Sequence, residues 1–541
     1  MSGQRIFAAR RLLVRTADKL MTTPLTRWTW QGLAELAYKG DLPDFRPADR
    51  DAVREMMTGR YLLASKLIET GGASPFGVDV DHPEWWNNLQ GFSWLRHFRD
   101  VRDPGERLFA RTLVLDWIGR EGKFDPDSWS LMLTAQRVLN WLRHLTLLLD
   151  GATPEQAKTI QRSLGTQVQS LRVRAPMATE PVEALFAAMG LLGAELCEPE
   201  DSSNVELRLA KLDALLASQL DVEGLHKSRN PRVQLSLLVE LSSLRRAASN
   251  HSSPTHSALS DRIDRMHEAL DALTLSSGEP VYFNGCGQVP HDVLVAVQAN
   301  GPSVPPRSRI LGGYGILRSG EAVVVADSGL RPPPGYDGEA HAGHLAFEFS
   351  HRSELILGSC GPAPLDMPET RDLFRQAIAH SSPTIEGEDA VPVSGKGSGQ
   401  RVALPAPQLD GAEHSLLLGS AGYAARFGVE IERRLTLIGD GMTLVGQDRL
   451  VGKGGDPKGR LAIRFHLAPG IAVHAPVGEG MRRLTLPNGE VWSFLWEGGE
   501  LHEDDSVRQS AYLGFHRTTQ LVLEADVVPG FEIGWILTRE Q

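Results

Sequence analysis

The spacing of apolar residues divides the chain into two parts. From the N-terminus to about residue 275, apolar side chains recur at the three- and four-residue spacing of amphipathic helices. The clearest segments are 111–118, 129–149, 160–171, 182–197, 207–220 and 233–244. Short polar connections such as DGATPEQ and EPEDSSN separate these segments and supply stop and cap residues. The pattern predicts antiparallel helical hairpins.

The pattern changes near residue 305. Residues 301–308, GPSVPPRS, are rich in Pro, Ser and Gly, and short runs with a period of two follow them. Examples of these runs are EAVVVADSG, LAFEFSHRSELILGS, RRLTLIGDGMTLVGQDRL, LAIRFHL and TQLVLEA. A helical half followed by a half made of strands predicts an α+β multidomain protein with segregated layers.

Composition excludes several classes of protein. A chain of 541 residues with 41% hydrophobic and 23% charged residues is long enough for several domains and has ordinary globular usage, which excludes disorder. The formal charge of −11 gives no electrostatic footprint for nucleic acid or an anionic membrane. Three distant cysteines, Cys197, Cys286 and Cys360, form neither a disulfide framework nor a metal knuckle.

The first 39 residues form a separate basic segment. Arg10, Arg11 and Arg15 interrupt the apolar runs, so we expect a basic amphipathic helix and no secretory signal. No apolar run in the chain reaches the roughly 18 residues that a bilayer span needs. We therefore expect a helical domain over residues 40–300 and a β domain over residues 305–541.

Several segments resemble the heparinase II/III-like polysaccharide lyases, and in particular bacterial members of that family. In the helical half they are NNLQGFSWLRHF, QRVLNWLRH, HKSRNPRVQLSLLVEL and YFNGCG. In the β half they are GGYGILRSGEAVVVADSG, AHAGHLAFEFS, AHSSPT, RRLTL followed by GQD, and RFHL. The resemblance covers nearly the whole chain. It implies an incomplete (α/α) toroid of helical hairpins followed by an antiparallel β-sandwich.

The resemblance also implies a function. Such lyases cleave uronic-acid-containing glycans, for example heparan-like or alginate-like polymers, by β-elimination. The reaction needs a group that neutralises the uronate carboxylate, a base for the C5 proton and an acid for the departing O4. The expected partner is an acidic polysaccharide or oligosaccharide, with no nucleic acid. The family implies the cell envelope or periplasm, and a cytoplasmic location is the alternative because no signal is visible.

In the β half, the resemblance implies a zinc site, but some of the family's residues at this site are missing from this chain. The family's HxHAD-like element corresponds to residues 339–343, in which His341 matches the zinc-ligand His and Glu339 stands in place of the catalytic His. His380 matches a second zinc-ligand His, and Ser359 stands in place of the zinc Asp. Two imidazoles are fewer than the three protein ligands typical of zinc. We therefore expect no cofactor, or at most weak zinc at His341 and His380.

Alternation along a predicted strand gives an independent view of His341. It places His341 on the inward face with Phe347 and Phe349, and His344 on the solvated face. Three roles stay open for His341: a histidine at the edge of the core bonded to backbone, a substrate-site residue, and a metal ligand.

In the helical half, the family's Asn-His pair and catalytic Tyr are absent. The segment EPVEALFAAMGLLGAEL lacks the pair, and no Tyr occurs between Tyr61 and Tyr282. His226, Arg229 and Asn230 stand close together instead, and they supply a proton-transfer group, a bidentate carboxylate binder and an amide. We take these three and His341 as candidate catalytic residues. The Asn-Pro step at residues 230–231 equally predicts a helix cap.

Aromatic residues give a second carbohydrate signal. Trp85, Trp86 and Arg96 lie in the dense cluster DHPEWWNNLQGFSWLRHF, and sugar faces stack on such rings. These three residues and Tyr314 are candidate substrate-binding residues. We expect Trp94 in the core and one of Trp85 and Trp86 in a groove.

Three functions remain open from sequence. The first is a uronan lyase that uses the residues named above. The second is a carbohydrate-binding, assembly or envelope polysaccharide-processing protein that kept the scaffold and lost the chemistry. The third is a glycoside hydrolase on an (α/α) toroid, which needs two carboxylates across a groove.

Overall fold

The computed structural model describes most of the chain. The described residues are 13, 16–21, 23, 25, 26, 28, 38–121, 127–198, 204–251, 253–364, 367–393, 407–454, 457–475, 480–511 and 514–540. The predicted amphipathic helix within residues 1–39 falls mostly outside them. Across the described helices, none is long and apolar enough to cross a membrane.

Helices fill the N-terminal half, as the apolar spacing predicts. They are α1 (Arg50–Met57), α2 (Pro83–Gln90), α3 (Pro104–Glu121), α4 (Leu131–Arg143), α5 (Leu145–Leu149), α6 (Pro154–Arg174), α7 (Pro181–Leu196), α8 (Val205–Gln219), α9 (Pro231–Ala247), α10 (Pro254–Ala272) and α11 (His291–Gln298). A small hairpin of β1 (Arg60–Leu63) and β2 (Lys66–Glu69) lies between α1 and α2. Six of these helices begin at a proline, whose fixed φ and missing N–H suit the first helical position.

One predicted helix is divided in two. Residues 129–149 were expected to be continuous, but α4 ends before His144 and α5 follows it. Asp41 Oδ1 accepts the backbone N–H of Thr146 at 2.8 Å, and Leu142 O accepts the N–H of Leu42 at 3.2 Å. These partners replace the bond that Thr146 would donate to Leu142 inside a continuous helix. The break therefore follows from contacts with distant residues.

Strands fill the C-terminal half and form two antiparallel sheets. They are β3 (Arg309–Leu311), β4 (Tyr314–Ser319), β5 (Ala322–Asp327), β6 (Phe347–His351), β7 (Glu354–Gly358), β8 (Pro383–Ile385), β9 (Gln408–Asp410), β10 (Ser415–Ser420), β11 (Val429–Ile438), β12 (Thr443–Gly452), β13 (Arg460–Leu467), β14 (Ala472–Val473), β15 (Met481–Thr485), β16 (Val491–Glu497), β17 (Glu500–Ser510), β18 (Gly514–Asp526) and β19 (Glu532–Arg539). The short helices α12 (Arg371–Phe374) and α13 (Ala424–Phe427) interrupt them. The strand orders are β14-β15-β16-β19-β12-β11-β10-β9 and β17-β18-β13-β7-β6-β5-β4-β3, with β8 paired to β13.

The two sheets pack face to face around an aromatic core. The ring of Phe347 in β6 stacks on Trp535 in β19 with 5.4 Å between centroids, and Phe465 in β13 meets Trp535 edge-on. A fully buried ion pair joins Arg433 and Asp448 in the same core, with a 2.7 Å contact. This arrangement is an antiparallel β-sandwich, as expected.

The chain forms two compact units, and each contains several stretches of sequence. The first comprises residues 1–220, 236–264 and 292–300, and the second comprises residues 221–235, 265–291 and 301–541. Two stretches from the helical half thus belong to the second unit, where Leu225 and Phe283 share a core with Tyr314. The expected domain limits at residues 39, 300 and 305 stay predictions.

Candidate functional site

Most of the predicted site residues lie in the second unit, on four segments. These are residues 226–230 before α9, the start of β4 at Tyr314, the connection from β5 to β6, and residues 379–384 around the start of β8; residues 282–287 contact Tyr314. Three non-glycine residues on or beside them have left-handed backbone: Arg229 (φ +56°), Asn284 (φ +51°) and Leu345 (φ +61°). Such backbone is sparsely populated and persists where surrounding contacts over-determine it. The local structure is therefore held by specific side-chain contacts.

Arg229 is bound entirely by protein groups. Its Nη2 donates to Asp327 Oδ1 at 2.8 Å and its Nε to Gly312 O at 2.8 Å, while Nη1 donates to Leu330 O. The guanidinium lies 4.1 Å from the ring centroid of Tyr314, and the residue is 4% exposed. The group predicted to neutralise a substrate carboxylate thus neutralises an internal one.

His226 and Asn230 flank Arg229 and have structural partners. His226 Nδ1 lies 2.8 Å from Ser228 Oγ, and its ring meets Tyr336 edge-on with 5.6 Å between centroids. Burial and the charge of Lys227 lower the pKa of this fully buried imidazole to about 4. Asn230 Oδ1 accepts the N–H of Arg232 at 2.8 Å at the start of α9. This contact is the helix cap that the sequence left open as an alternative.

Tyr314 links Arg229 to the histidines of the β half. Its hydroxyl donates to Arg229 O at 2.7 Å and accepts from Asn284 Nδ2 at 2.7 Å. Asn284 Oδ1 in turn accepts the backbone N–H of His341 at 3.2 Å. Tyr314 is fully buried, so its predicted contact with substrate would require the surrounding structure to open.

His341 and His380 face each other directly. His341 Nδ1 lies 3.1 Å from His380 Nε2. Burial together with the charges of Arg375 and Arg371 lowers the pKa of half-buried His341 to about 3. Burial and the neighbouring His341 lower the pKa of His380 well below its ordinary value. Both rings are therefore neutral at pH 7, and one ring N–H donates to the other ring.

The residues beside this pair do not fit a zinc ion. Ser359, which stands in place of the family's zinc Asp, forms an antiparallel bridge with His380 and carries only a neutral hydroxyl. Within the described ranges, no group of three His, Cys, Asp or Glu residues is placed to hold a metal. Two imidazoles and a hydroxyl are a poor donor set for a divalent cation.

The expected strand around His341 and His344 was wrong in its extent. β6 begins only at Phe347, so strand alternation does not govern residues 341–346. His344 is 7% exposed, and its Nδ1 lies 3.0 Å from Ser420 Oγ, so the expectation of a solvated surface histidine was also wrong. Arg433 Nη1 donates to Leu345 O at 2.6 Å, and this distant contact shapes the turn.

The aromatic candidates lie in the first unit. Trp85 is fully buried and its Nε1 donates to Tyr61 O at 3.2 Å, so its predicted substrate contact is corrected to a core role. Trp94 is buried too, as expected. Trp86 and Arg96 are half-buried and remain candidates, and Arg96 Nε has no hydrogen-bond partner among the described residues.

Sequence reasoning missed three residues of this network. Asp327 ends the apolar run of β5, and a polar residue directly after a buried strand was a usable signal. Asn284 precedes Gly285 in YFNGCG, which marks a turn. Tyr336 lies in the sequence RPPPGYDGEA, where nothing indicated its contact with His226.

Comparisons with known proteins agree with this architecture. The family model described as "Heparinase II/III-like, C-terminal" matches residues 306–536. FtsZ-localized protein C of Caulobacter vibrioides is 27% identical over 524 residues, which cover 89% of this chain and 88% of that protein.

Solved structures show the same fold at low identity. The crystal structure of heparinase III has a TM-score of 0.70 at 13% identity, covering 97% of this chain and 91% of that chain. A mutant of heparan sulfate lyase HepC from Pedobacter heparinus has a TM-score of 0.65 at 14% identity, covering 95% and 88%. The fold is thus a helical toroid followed by a β-sandwich, and its C-terminal part, residues 306–536, matches the heparinase II/III-like family.

Proposed function

We propose that this protein is a non-cleaving member of its family, which binds acidic glycan and acts as an assembly protein that localises with FtsZ. The observation that carries the proposal is the buried ion pair between Arg229 and Asp327. The side chains of the other candidate catalytic residues also form hydrogen bonds with protein groups. The scaffold of a lyase is kept, and the chemistry of elimination is lost.

β-Elimination needs a positive or donating group at the uronate carboxylate. Arg229 was the candidate, but its Nε, Nη1 and Nη2 all donate to protein oxygens. Withdrawing it from Asp327 would leave a buried carboxylate unpaired, which is strongly unfavourable. This argues that Arg229 stabilises the fold and does not bind substrate.

The candidate bases are also poorly suited to proton abstraction. The pKa of His226 is about 4 and that of His341 about 3, because burial disfavours their charged forms. A general base works best with a pKa near the operating pH. The ring of His226 is fully buried beneath Tyr336, out of reach of a polymer in this conformation.

Similarity to the FtsZ-localised protein supports the assembly role. That match spans 89% of this chain at 27% identity, whereas the matched lyase structures are 11–14% identical. The name of the relative states that it localises with FtsZ, and we extend that property to this chain. Binding of an acidic polysaccharide is supported by the family fold.

Cleavage remains the competing candidate. The fold shared with heparinase III and the HepC lyase supports it. The type of polymer, elimination as the reaction, and a location in the cell envelope are predictions from the family resemblance. The hydrolase hypothesis gains little from Asp327, because this carboxylate is bonded to Arg229 and the reaction needs two carboxylates across a groove.

Two measurements test the proposal. The purified chain is incubated with a panel of uronate polysaccharides while the ultraviolet absorbance of unsaturated ends is followed, beside Arg229→Ala and His226→Ala variants. In parallel, it is sedimented with FtsZ polymers, with unpolymerised FtsZ as the control. We expect no unsaturated product and co-sedimentation that depends on polymer.

Unsaturated ends produced by the wild-type chain would overturn the proposal. Cleavage that survives both substitutions would also show that the catalytic residues lie elsewhere. Absence of co-sedimentation would remove the FtsZ role.

A further inference from the structure

We propose that a cleft between the C-terminal end of α10 and the β3–β4 hairpin binds the phosphoryl group of a small organic phosphate, through the guanidinium groups of Arg307, Arg309 and Arg318. The cleft lies within the second unit. Its lining includes none of the residues considered above for catalysis, zinc or glycan binding. The inference therefore goes beyond the proposed function and does not depend on it.

The cleft has a wall of sheet, a wall of helix and a rim that contains two prolines. Counted out to its open mouth, it measures about 370 Å³, a volume typical of sites for small molecules. Besides the three arginines, it is lined by Glu268, Asp271, Ala272, Val304, Pro305 and Pro306. Because the ring of each proline fixes φ, the rim is preformed and loses little entropy when a ligand binds.

The β3–β4 hairpin brings the three arginines together. Arg309 pairs with Ile316, and Arg318 follows Ile316 by two residues, so the two arginines point to the same face. Ser308 Oγ accepts the backbone N–H of Arg318 at 2.9 Å, which keeps the chain before β3 beside β4. Arg307 lies in that stretch and lines the same cleft. Like charges gathered in this way repel one another unless an anion lies between them.

Arg318 is anchored by one of its three nitrogens. Its Nη2 donates to Asp271 O at 2.9 Å and to Thr274 O at 2.8 Å, and so satisfies carbonyls at the end of α10. Burial lowers the pKa of this guanidinium, and the charge of Asp271 raises it less. Its Nε and Nη1 have no hydrogen-bond partner among the described residues. The helix end thus holds the group in place while two nitrogens stay available to a ligand.

Arg309 and Arg307 have still fewer partners. Arg309 Nη1 approaches Glu268 Oε2 only to 3.8 Å, which is beyond hydrogen-bond distance. The side chain of Arg309 is nevertheless only 17% exposed. Arg307 is exposed and forms neither a hydrogen bond nor an ion pair with any residue that the structure describes. Most of the N–H donors that line the cleft are therefore available to an anion.

The number of these donors favours a phosphoryl group over a carboxylate. A carboxylate is planar, has two oxygens and matches a single guanidinium fork. A phosphoryl group has three acceptor oxygens and nearly two negative charges, so it can accept from all three arginines. Val304 and the two prolines, which are exposed at the rim, offer an apolar surface to the organic part of the ligand. The small volume of the cleft favours a small molecule.

The test measures binding of phenyl phosphate to the full chain by isothermal titration calorimetry, with inorganic phosphate and benzoate titrated in parallel. Arg307→Ala removes an exposed arginine of the cleft and leaves the folded core intact. Glu268→Gln removes a carboxylate that lines the cleft and keeps the size of the side chain. Arg517→Ala is the matched control, because it removes the same charge as Arg307→Ala from an exposed position on β18, near the opposite edge of the same sheet.

We expect Arg307→Ala to bind phenyl phosphate about tenfold more weakly than the wild type, since a charge-assisted contact is lost. Glu268→Gln should bind it about threefold more tightly, and Arg517→Ala should be unchanged. No binding to the wild type, or equal affinities in all four proteins, would overturn the site. An equal loss in Arg517→Ala and Arg307→Ala would overturn it too, because overall charge would then explain the binding.

The two other probes test the choice of ligand. Benzoate that binds as tightly as phenyl phosphate would overturn the preference for a phosphoryl group. Inorganic phosphate that binds as tightly would overturn the contact between the rim and an organic part, and weaker binding of inorganic phosphate supports that contact.

Discussion

Arg229 and Asp327 form a buried ion pair across 98 residues of sequence, with 2.8 Å between Nη2 and Oδ1. The pair ties the segment before α9 to the end of β5. Arg229 also has left-handed backbone, and its carbonyl accepts the hydroxyl of Tyr314, so its side chain and its backbone each have a fixed partner. A residue type that suggests substrate binding in sequence is used here to join two parts of one unit.

Removing one partner of this pair should destabilise the protein strongly. We expect Arg229→Ala to lower the free energy of unfolding by about 3–5 kcal/mol, because Asp327 is left as an uncompensated buried charge. The double variant Arg229→Ala, Asp327→Ala should recover part of this loss. Urea unfolding monitored by tryptophan fluorescence measures both. A loss of under about 1 kcal/mol in the single variant would show that Arg229 is free for another role.

Purified protein should not contain stoichiometric zinc. His341 and His380 bond to each other, and Ser359 offers only a hydroxyl. Elemental analysis after dialysis without chelator is the measurement. His516→Ala, at an exposed position on β18, is the control for His380→Ala. Stoichiometric zinc that disappears in His380→Ala and persists in His516→Ala would contradict the expectation.

Stability should fall in mild acid because of buried neutral histidines. Burial and the charge of Arg229 lower the pKa of His344 from an ordinary 6.5 to about 4. Between these values the unfolded chain binds the proton and the folded chain does not, so the contribution of His344 is fully present above pH 6.5 and is lost as pH falls toward 4. A shift of this size corresponds to about 3 kcal/mol.

The matched variants isolate that effect. Urea unfolding of wild type, His344→Gln and the exposed-site control His516→Gln is measured from pH 7.5 to pH 4.5. We expect the wild type and the control to lose stability in parallel, and His344→Gln to lose less. An identical slope in all three would mean that His344 titrates normally in the folded protein.

The adjacent tryptophans Trp85 and Trp86 should separate stability from binding. Trp85→Ala should cost about 3–5 kcal/mol of unfolding free energy, since a fully buried indole and its hydrogen bond to Tyr61 O are lost. Trp86→Ala, at a half-buried position, should cost much less and weaken glycan binding if its face contacts sugar. Thermal unfolding and calorimetric titration of both variants provide the comparison. A similar loss of stability in both would place Trp86 in the core as well.

Hydrophobic periodicity predicted the elements well because the relevant information is local. Each predicted helical segment coincides with a helix except residues 129–149. There the side chain of Asp41, which is far away in sequence, accepts a backbone N–H that a continuous helix would use. The hairpin in LAFEFSHRSELILGS corresponds to β6 and β7. Deviations occur where a partner far away in sequence replaces a local bond.

The roles of the candidate site residues were harder to predict, because the role of each side chain depends on its partners in the folded protein. The family resemblance identified His341 and His380, and the structure brings them within 3.1 Å. Nothing local to Arg229 showed that Asp327 would neutralise it. The strand pattern placed His344 on the solvated face. A hydrogen bond from Arg433 to the backbone before β6 gives this turn a different path. Burial, ion pairs and hydrogen bonds determine which of these side chains can take part in a reaction, and all of them depend on tertiary contacts.

The interleaved composition of the second unit determines how the molecule can be divided. A fragment starting at residue 305, where helices give way to strands, would lack Leu225, Val281 and Phe283. It would expose Tyr314, Ile316 and the rest of that core to water and would remove both Arg229 and Asn284 from the hydroxyl of Tyr314. Exchange of modules between relatives therefore has to carry residues 221–235 and 265–291 along with the strands.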